Sequence, residues 1–452
     1  MKPSLTLMAV LLLATAAMRA QVPPAAVGPA DSARFAVPPI SGSLHTDLHY
    51  AETSQIGGVQ GGQQQSFVSG DANYTNLSKR LPFSMQYGGG YGWGWSGQTG
   101  PGYLFQHLLL SQSIVWRTWS LTASDNVSYS FQTPTTGFSG VPGTGEPIGS
   151  SSSTTPTDQT ILTVNTRTLD NFTTVGTGRR FGRSTSLNIS GSAGQMRFID
   201  GNGQDTDTLT ADASVSRRLN AHNSVSAVYA FSRFSYGGAA ATKAGALQIS
   251  YGQTQSAQLA FSRQWNPKIN TSASIGPQWI SSSGSTVQTS SISYTASASA
   301  TDSFKIGTAG ISYNHGVNGG SGYMLGAKSD TVGANFGRGI GKNLTFGVTG
   351  TYMRTSALIA EELVYNAQGV LYLVPLNVTP STNARYGGVQ AGRKLGRYWS
   401  AFANYTVIDQ SSNTKVAVPN TPLGFTTNIL SGMTQVVGFG ISYSPREKRF
   451  RW

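Results

Sequence analysis

Cysteine is absent from all 452 residues. No disulfide can cross-link this chain, no thiolate can hold a metal, and no lipid can be attached through a cysteine. Charge is scarce as well: Asp, Glu, Lys and Arg together make up 11% of the residues, less than half of the ~25% usual in globular domains. Beyond the N-terminal region, nothing approaches the ~20 consecutive apolar residues that a membrane-spanning helix requires. No change of composition after the first forty residues or so marks a boundary between soluble domains. Disorder would share this polarity, but it would not place a 10% aromatic content at fixed parity.

What the sequence does contain is a two-residue alternation along its length. From Phe83 to Trp95 the odd positions are Phe83, Met85, Tyr87, Gly89, Tyr91, Trp93 and Trp95, and the even ones are Ser84, Gln86 and four glycines. Trp119, Leu121, Ala123, Val127, Tyr129 and Phe131 repeat the pattern, as do Ile292, Tyr294, Ala296, Ala298 and Ala300 against a run of Ser and Thr. Leu344, Phe346, Val348, Gly350 and Tyr352 repeat it again. Successive strand side chains point to opposite faces, so each strand has one greasy face and one polar face. A soluble sandwich also alternates, but its apolar face must fill a close-packed core, whereas this one is thin and aromatic. The fold class that fits is all-β: a transmembrane, antiparallel, up-and-down β-barrel.

The N-terminus carries Lys2, an apolar stretch from Leu5 to Ala17, and Ala20 before Gln21. That is the layout of a secretory signal peptide, with cleavage expected after Ala20 and Ala17 as the second site. Residues 21–41 hold Pro23, Pro24, Pro29, Pro38 and Pro39 among small residues and are expected to form an extended periplasmic tail. The barrel is expected over residues 42–444, followed by a basic periplasmic tail over 445–452.

The formal net charge is +13, but the basic residues are not gathered as a nucleic-acid site would gather them. They mark regularly spaced turns, among them Lys79 and Arg80, Arg179 and Arg180, Arg217 and Arg218, Arg263, Arg338, and Arg393 and Lys394. These turns expose a loose repeat: compare SRRLNAHNSVSAVYAF, SRQWNPKINTSASIG and GRKLGRYWSAFANY. The connections between them, such as 133–158, 355–381 and 410–430, are longer and rich in Gly, Ser, Thr and Pro. Outer-membrane barrels have short periplasmic turns and longer external loops, which puts the basic turns in the periplasm. Counting strands by this rule gives about eighteen, with sixteen as the alternative; both place the chain ends on the periplasmic side.

Over everything after residue 42 the chain resembles the porin-like outer-membrane β-barrels of Gram-negative bacteria. Its last strand matches the assembly signal common in that class, a Gly followed by alternating hydrophobic residues, at Gly438, Ile441 and Tyr443. It departs from that pattern at Val436, where a polar residue is usual, and in the segment that follows Tyr443. The resemblance implies the barrel assembly machinery, outer-membrane lipids and lipopolysaccharide as partners, and leaves room for a homo-oligomer.

Catalytic motifs do not emerge. The chain has five histidines, His45, His49, His107, His222 and His315. Serine is so common that a Ser and His pairing arises by chance, and no nucleophile or metal spacing accompanies it. His45 and His49 fall on one face of a strand, but two histidines alone do not make a metal site. No enzyme activity, metal or cofactor is therefore expected. The polar parity is small, hydroxylated and neutral, and a barrel of sixteen to eighteen strands is wide enough for an aqueous channel. The leading expectation is passive diffusion of small polar solutes with little charge selectivity from the wall. The alternatives are a non-conducting scaffold or surface anchor, and an exporter of neutral polysaccharide. The last would need lumen aromatics, whereas the obvious ones, Trp93, Trp95, Trp119, Tyr129 and Phe131, lie on the apolar parity, with Phe402 as an exception. The segment 355–381 is unusually apolar and carries Glu361 and Glu362. It either folds inward, placing two carboxylates at a pore constriction, or extends as a hairpin above the membrane.

Overall fold

The structure is a computed structural model that describes residues 41–57, 63–76, 78–94, 102–132, 166–199, 205–237, 250–283, 288–318, 327–358, 361–365, 371–375, 381–413, 416–417, 426–427, 432–445 and 448–451. Its strands in chain order are β1 (Ser41–Gly57), β2 (Gln63–Asn76), β3 (Phe83–Gly94), β4 (Tyr103–Val115), β5 (Trp119–Gln132), β6 (Thr166–Phe181), β7 (Thr185–Phe198), β8 (Asp205–Arg218), β9 (Asn223–Gly237), β10 (Ser250–Gln264), β11 (Ile269–Ser283), β12 (Gln288–Phe304), β13 (Gly307–Asn318), β14 (Ala327–Ile340) and β15 (Leu344–Ala357). A short hairpin, β16 (Glu361–Tyr365) and β17 (Leu371–Pro375), leads to β18 (Ser381–Lys394) and β19 (Trp399–Ser412). A second short pair, β20 (Val416–Ala417) and β21 (Thr426–Thr427), precedes β22 (Gly432–Tyr443) and β23 (Lys448–Arg451).

Eighteen of these strands form the barrel wall. Each pairs antiparallel with the next in sequence, and β22 returns to pair with β1 from Leu48↔Tyr443 to Gly57↔Thr434. That last ladder leaves the sheet without a free edge, which is what hydrocarbon demands of a spanning structure. The wall strands run for 12 to 17 residues, longer than the ~9–11 needed to cross a bilayer core. The surplus supplies both rims.

The turns at the periplasmic end explain the loose repeat. In two of the repeated segments an asparagine caps the turn with its own side chain: Asn220 Oδ1 accepts from the backbone N–H groups of His222 and Asn223, and Asn266 Oδ1 from those of Lys268 and Ile269, all at 2.8 Å. Such Asx turns reverse the chain within few residues. Gly182 and Gly341 serve the same end with φ near 69° and 64°, a region that favours glycine. Beside these turns the arginines lie over aromatic rings, Arg179 over Trp119 at 4.8 Å and Arg263 over Trp265 at 3.7 Å.

One expectation is amended. Residues 445–452 do not simply trail from the last strand: Lys448–Arg451 forms β23, which pairs with Ser41–Leu44 and continues the closing seam below β22. The end of the connection 133–158 lies outside the described residues, and β6 is described from Thr166. The signal peptide, most of the Pro-rich tail and much of the long external connections lie outside the described residues.

Candidate permeation pathway

The two faces of the wall are chemically distinct. One parity carries the exposed large apolar side chains, including Leu259, Ile275, Ile292 at 75% exposure, Ile311, Val332, Val389 and Phe439. The opposite parity is tucked inside the cylinder and is dominated by Ser, Thr, Asn, Gln and Gly, with Thr168, Thr355, Thr382 and Thr406 at or near complete burial. An apolar exterior around a closed, polar-lined cylinder is compatible with lipid and with no other solvent. The protein is an integral outer-membrane β-barrel.

From β9 round to β22 the lumen face is mostly hydroxyl and amide, interrupted by the buried apolar side chains of Ile280, Met353, Ile408 and Val436. Ser224 bonds Ser262 at 2.6 Å, Ser274 bonds Ser297 and Ser272 bonds Ser299 at 2.8 Å, and Ser274 also donates to Gln258 at 3.1 Å. The three serine pairs sit opposite each other in register across neighbouring strands, and Gln258 lies diagonal to Ser274, whose register partner is Ala260. Each hydroxyl keeps capacity to exchange bonds with a passing polar solute, because Ser and Thr both donate and accept.

The wall from β1 to β8 differs. Within the described barrel strands every Asp and His on the lumen parity falls here: His45, Asp47 and His49 on β1, Asp71 on β2, His107 on β4, Asp170 on β6 and Asp212 on β8. Asp47 and Asp71 face each other directly in register, an unfavourable juxtaposition of like charges. Histidines relieve it: His45 Nε2 lies 3.0 Å from Asp47, and His49 Nε2 lies 3.0 Å from Asp71. Asp47 Oδ1 is buried without a hydrogen-bond partner in the protein. Among the described residues no three of these side chains are grouped as a metal ion would require. On the lumen parity of the barrel strands, Lys and Arg occur only at the periplasmic ends, as Arg180, Arg218 and Lys394. Arg218 turns onto the carbonyls of Asn220 and Ala221 at 3.1 and 3.2 Å.

Glycine keeps the larger lumen side chains against the wall. Gly88 stands opposite His107 in register, and a β-carbon there would overlap both the His107 ring and the Asp71 carboxylate. Gly440 stands in the same relation to Phe402, and Gly194 to Phe172. Each large residue therefore lies flat over the gap left by its partner.

The expectation of a neutral lumen holds for β9–β22, apart from Lys394 at the rim, and fails for β1–β8. The aromatic count is also amended: Phe67, Phe105, Phe172, Phe198, Phe234 and Tyr386 join Phe402 on the lumen parity. Phe67, Phe198 and Phe234 are buried in the wall, so they offer no continuous track of ring faces to a sugar chain. Ile441 and Tyr443 point outward near the seam, with Tyr443 against Trp399 at 4.9 Å between ring centres. Gly438 faces inward, where a β-carbon would meet Asn404. Glu361 and Glu362 fall on β16, which pairs with β17 in a sheet separate from the wall; their side chains lie outside the described residues. His315 is on the outward face, where no lumen solute meets it.

No known protein family and no curated protein matches this chain. Among solved structures it is similar to the FrpB iron transporter of Neisseria meningitidis, F5-1 variant, with a TM-score of 0.44 and 8% identity over 88% of this chain and 81% of that one. It is similar also to OpdQ of Pseudomonas aeruginosa, with a TM-score of 0.43 and 10% identity over 89% and 98%. OccK2 (OpdF) of Pseudomonas aeruginosa, solved in complex with glucuronate, gives 0.43 and 10% over 90% and 98%. The likeness is one of barrel architecture.

Proposed function

We propose that this barrel is a passive aqueous channel for small polar solutes, with a preference for cations set by its β1–β8 wall. The observation that carries the reading is the lumen face itself, predominantly Ser, Thr, Asn, Gln and Gly and ionisable only through carboxylates and histidines except at its periplasmic rim. A carboxylate ~8 Å from a monovalent cation in water stabilises it by about 0.5 kcal/mol, roughly a twofold local enrichment. Four such groups along one wall accumulate cations in the passage, most strongly at low ionic strength. Glu361 and Glu362, if carried inward by their hairpin, add to the same preference.

Planar-bilayer recording tests this. Purified protein is expected to give stable current steps, with a reversal potential in a KCl gradient on the cation side. Replacing Glu361 and Glu362 by Gln lowers that preference only if the hairpin lines the passage. Absence of current across repeated insertions would overturn the channel in favour of a scaffold. Assembly belongs to the same proposal: β22, with Gly438, Ile441 and Tyr443, is the strand read by the barrel assembly machinery, and its place at the closing seam supports that role.

A further inference from the structure

The outward face carries its own cations, and they form two belts. At the periplasmic ends these are Arg179, Arg217, Arg263, Arg338 and Arg393; at the external ends they include Arg197, Arg233, Lys328, Arg354 and Arg385. The periplasmic belt is explained by its turns and aromatic rings. Three members of the external belt, Lys328, Arg354 and Arg385, lie on the neighbouring strands β14, β15 and β18 and form a cluster.

Arg354 stands opposite Asp330 in register, Arg385 stands opposite Tyr352 two residues along, and Lys328 lies two residues above Asp330 on β14. Asp330 Oδ1 lies 2.6 Å from His315 Nδ1 and accepts from the Tyr313 hydroxyl at 3.1 Å, so this one acid is shared between that pair and the two cations beside it, Lys328 and Arg354. The His315 ring is stacked on Tyr294 with centroids 4.2 Å apart, and Lys328 lies 5.9 Å above that same tyrosine. His315 is buried, and its Nε2 has no hydrogen-bond partner in the protein. Arg385 has one distant partner, Asp409 at 3.7 Å, and its side chain is 74% exposed. Below the cations on the same face come Ile311, Val332, Val348 and Val389, all exposed.

This is the profile of a lipid read from headgroup to chain: three cations at the external rim above an apolar column. Charges on the lipid face cost ~2–4 kcal/mol at the midplane but only ~0–1 kcal/mol near the interface, so long basic side chains persist where anionic headgroups meet them. We propose that Lys328, Arg354 and Arg385 form a binding site for the phosphate groups of the outer-leaflet glycolipid, with the Tyr294–His315–Asp330 stack holding the cations' base rigid. Guanidinium pairs suit phosphate through charge-assisted, bidentate hydrogen bonds.

The test uses the purified full-length barrel and follows the temperature at which it loses its compact gel mobility. Bis-phosphorylated lipid A is expected to raise that temperature for the native chain and for a control carrying Arg179→Gln, Arg263→Gln and Arg338→Gln. It is expected to leave a Lys328→Gln, Arg354→Gln, Arg385→Gln variant unmoved. Dephosphorylated lipid A should produce no rise in any of them. The proposal is overturned if the external triple variant responds like the native chain, if the periplasmic control loses the response equally, or if phosphatidylglycerol reproduces it in full. Should the triple variant not assemble, Arg354→Gln alone is scored in the same way.

Discussion

The two arcs of the lumen wall are built on one backbone plan and carry different chemistry. Between β9 and β22 the inward side chains satisfy one another through hydroxyl pairs such as Ser274 with Ser297, so the wall is polar without a fixed charge. Between β1 and β8 it carries four aspartates and three histidines, including two aspartates in direct register. Alternation alone decides that a face is wet. Which ions it favours depends on a few substitutions within that alternation, and these lie on one side of the cylinder. In the channel proposed above, the resulting field points across the passage as well as along it, toward β1–β8.

Removing the difference between the arcs should have the largest effect. A variant with Asp47, Asp71, Asp170 and Asp212 all changed to Asn is expected to lose most of its cation preference, a fall of up to roughly thirtyfold at low salt when four contributions of about 0.5 kcal/mol each add in full. Reversal potentials in a KCl gradient measure it, and an unchanged potential would remove the wall acids from selectivity.

The opposite manipulation gives the hydroxyl wall a charge. Ser297→Asp on β12 should raise cation preference by roughly twofold, in line with a single added carboxylate. If the rise is absent while the barrel still conducts, ions do not approach that arc.

A smaller effect is expected from Gly88→Val, which leaves charge alone and alters the fit of the acidic wall. The new side chain pushes His107 and Asp71 off the wall, with ~1–3 kcal/mol of overpacking strain. The gel-shift temperature should fall and single-channel conductance should drop modestly, with little change of selectivity. Native conductance would mean that His107 does not border the narrowest part of the passage.

Much of this architecture could be read from the sequence. Eighteen strands, the parity of each face and the basic periplasmic turns follow from alternation and turn chemistry, because a strand's side-chain period is fixed at two. The charged arc could not be read so directly. His45, His49 and His107 are individually unremarkable, and only strand register reveals that Asp47 faces Asp71 and that His107 lies over Gly88. A neutral wall is legible in the Ser- and Thr-rich strands β12 and β15, where the inward face carries no fixed charge, but the strands β1–β8 differ from them in composition. His315 shows the same limit: its position near an external strand end was legible, but its outward stack on Tyr294 with Asp330 required three strands to be set in register.

The closing seam has a consequence for how such a chain can vanish or change. Tyr50 meets Ile441 and Leu44 meets Lys448, so the first strand waits for almost the last residues before its second edge is covered. Such long-range pairing is intrinsically slow to form. A chain stopped short of β22 is then no smaller pore; it is a sheet with two bare edges in a compartment of proteases and other edges. Viable variation in barrel size must come as whole hairpins gained or lost between the two ends, with β1 and the strands that meet it retained.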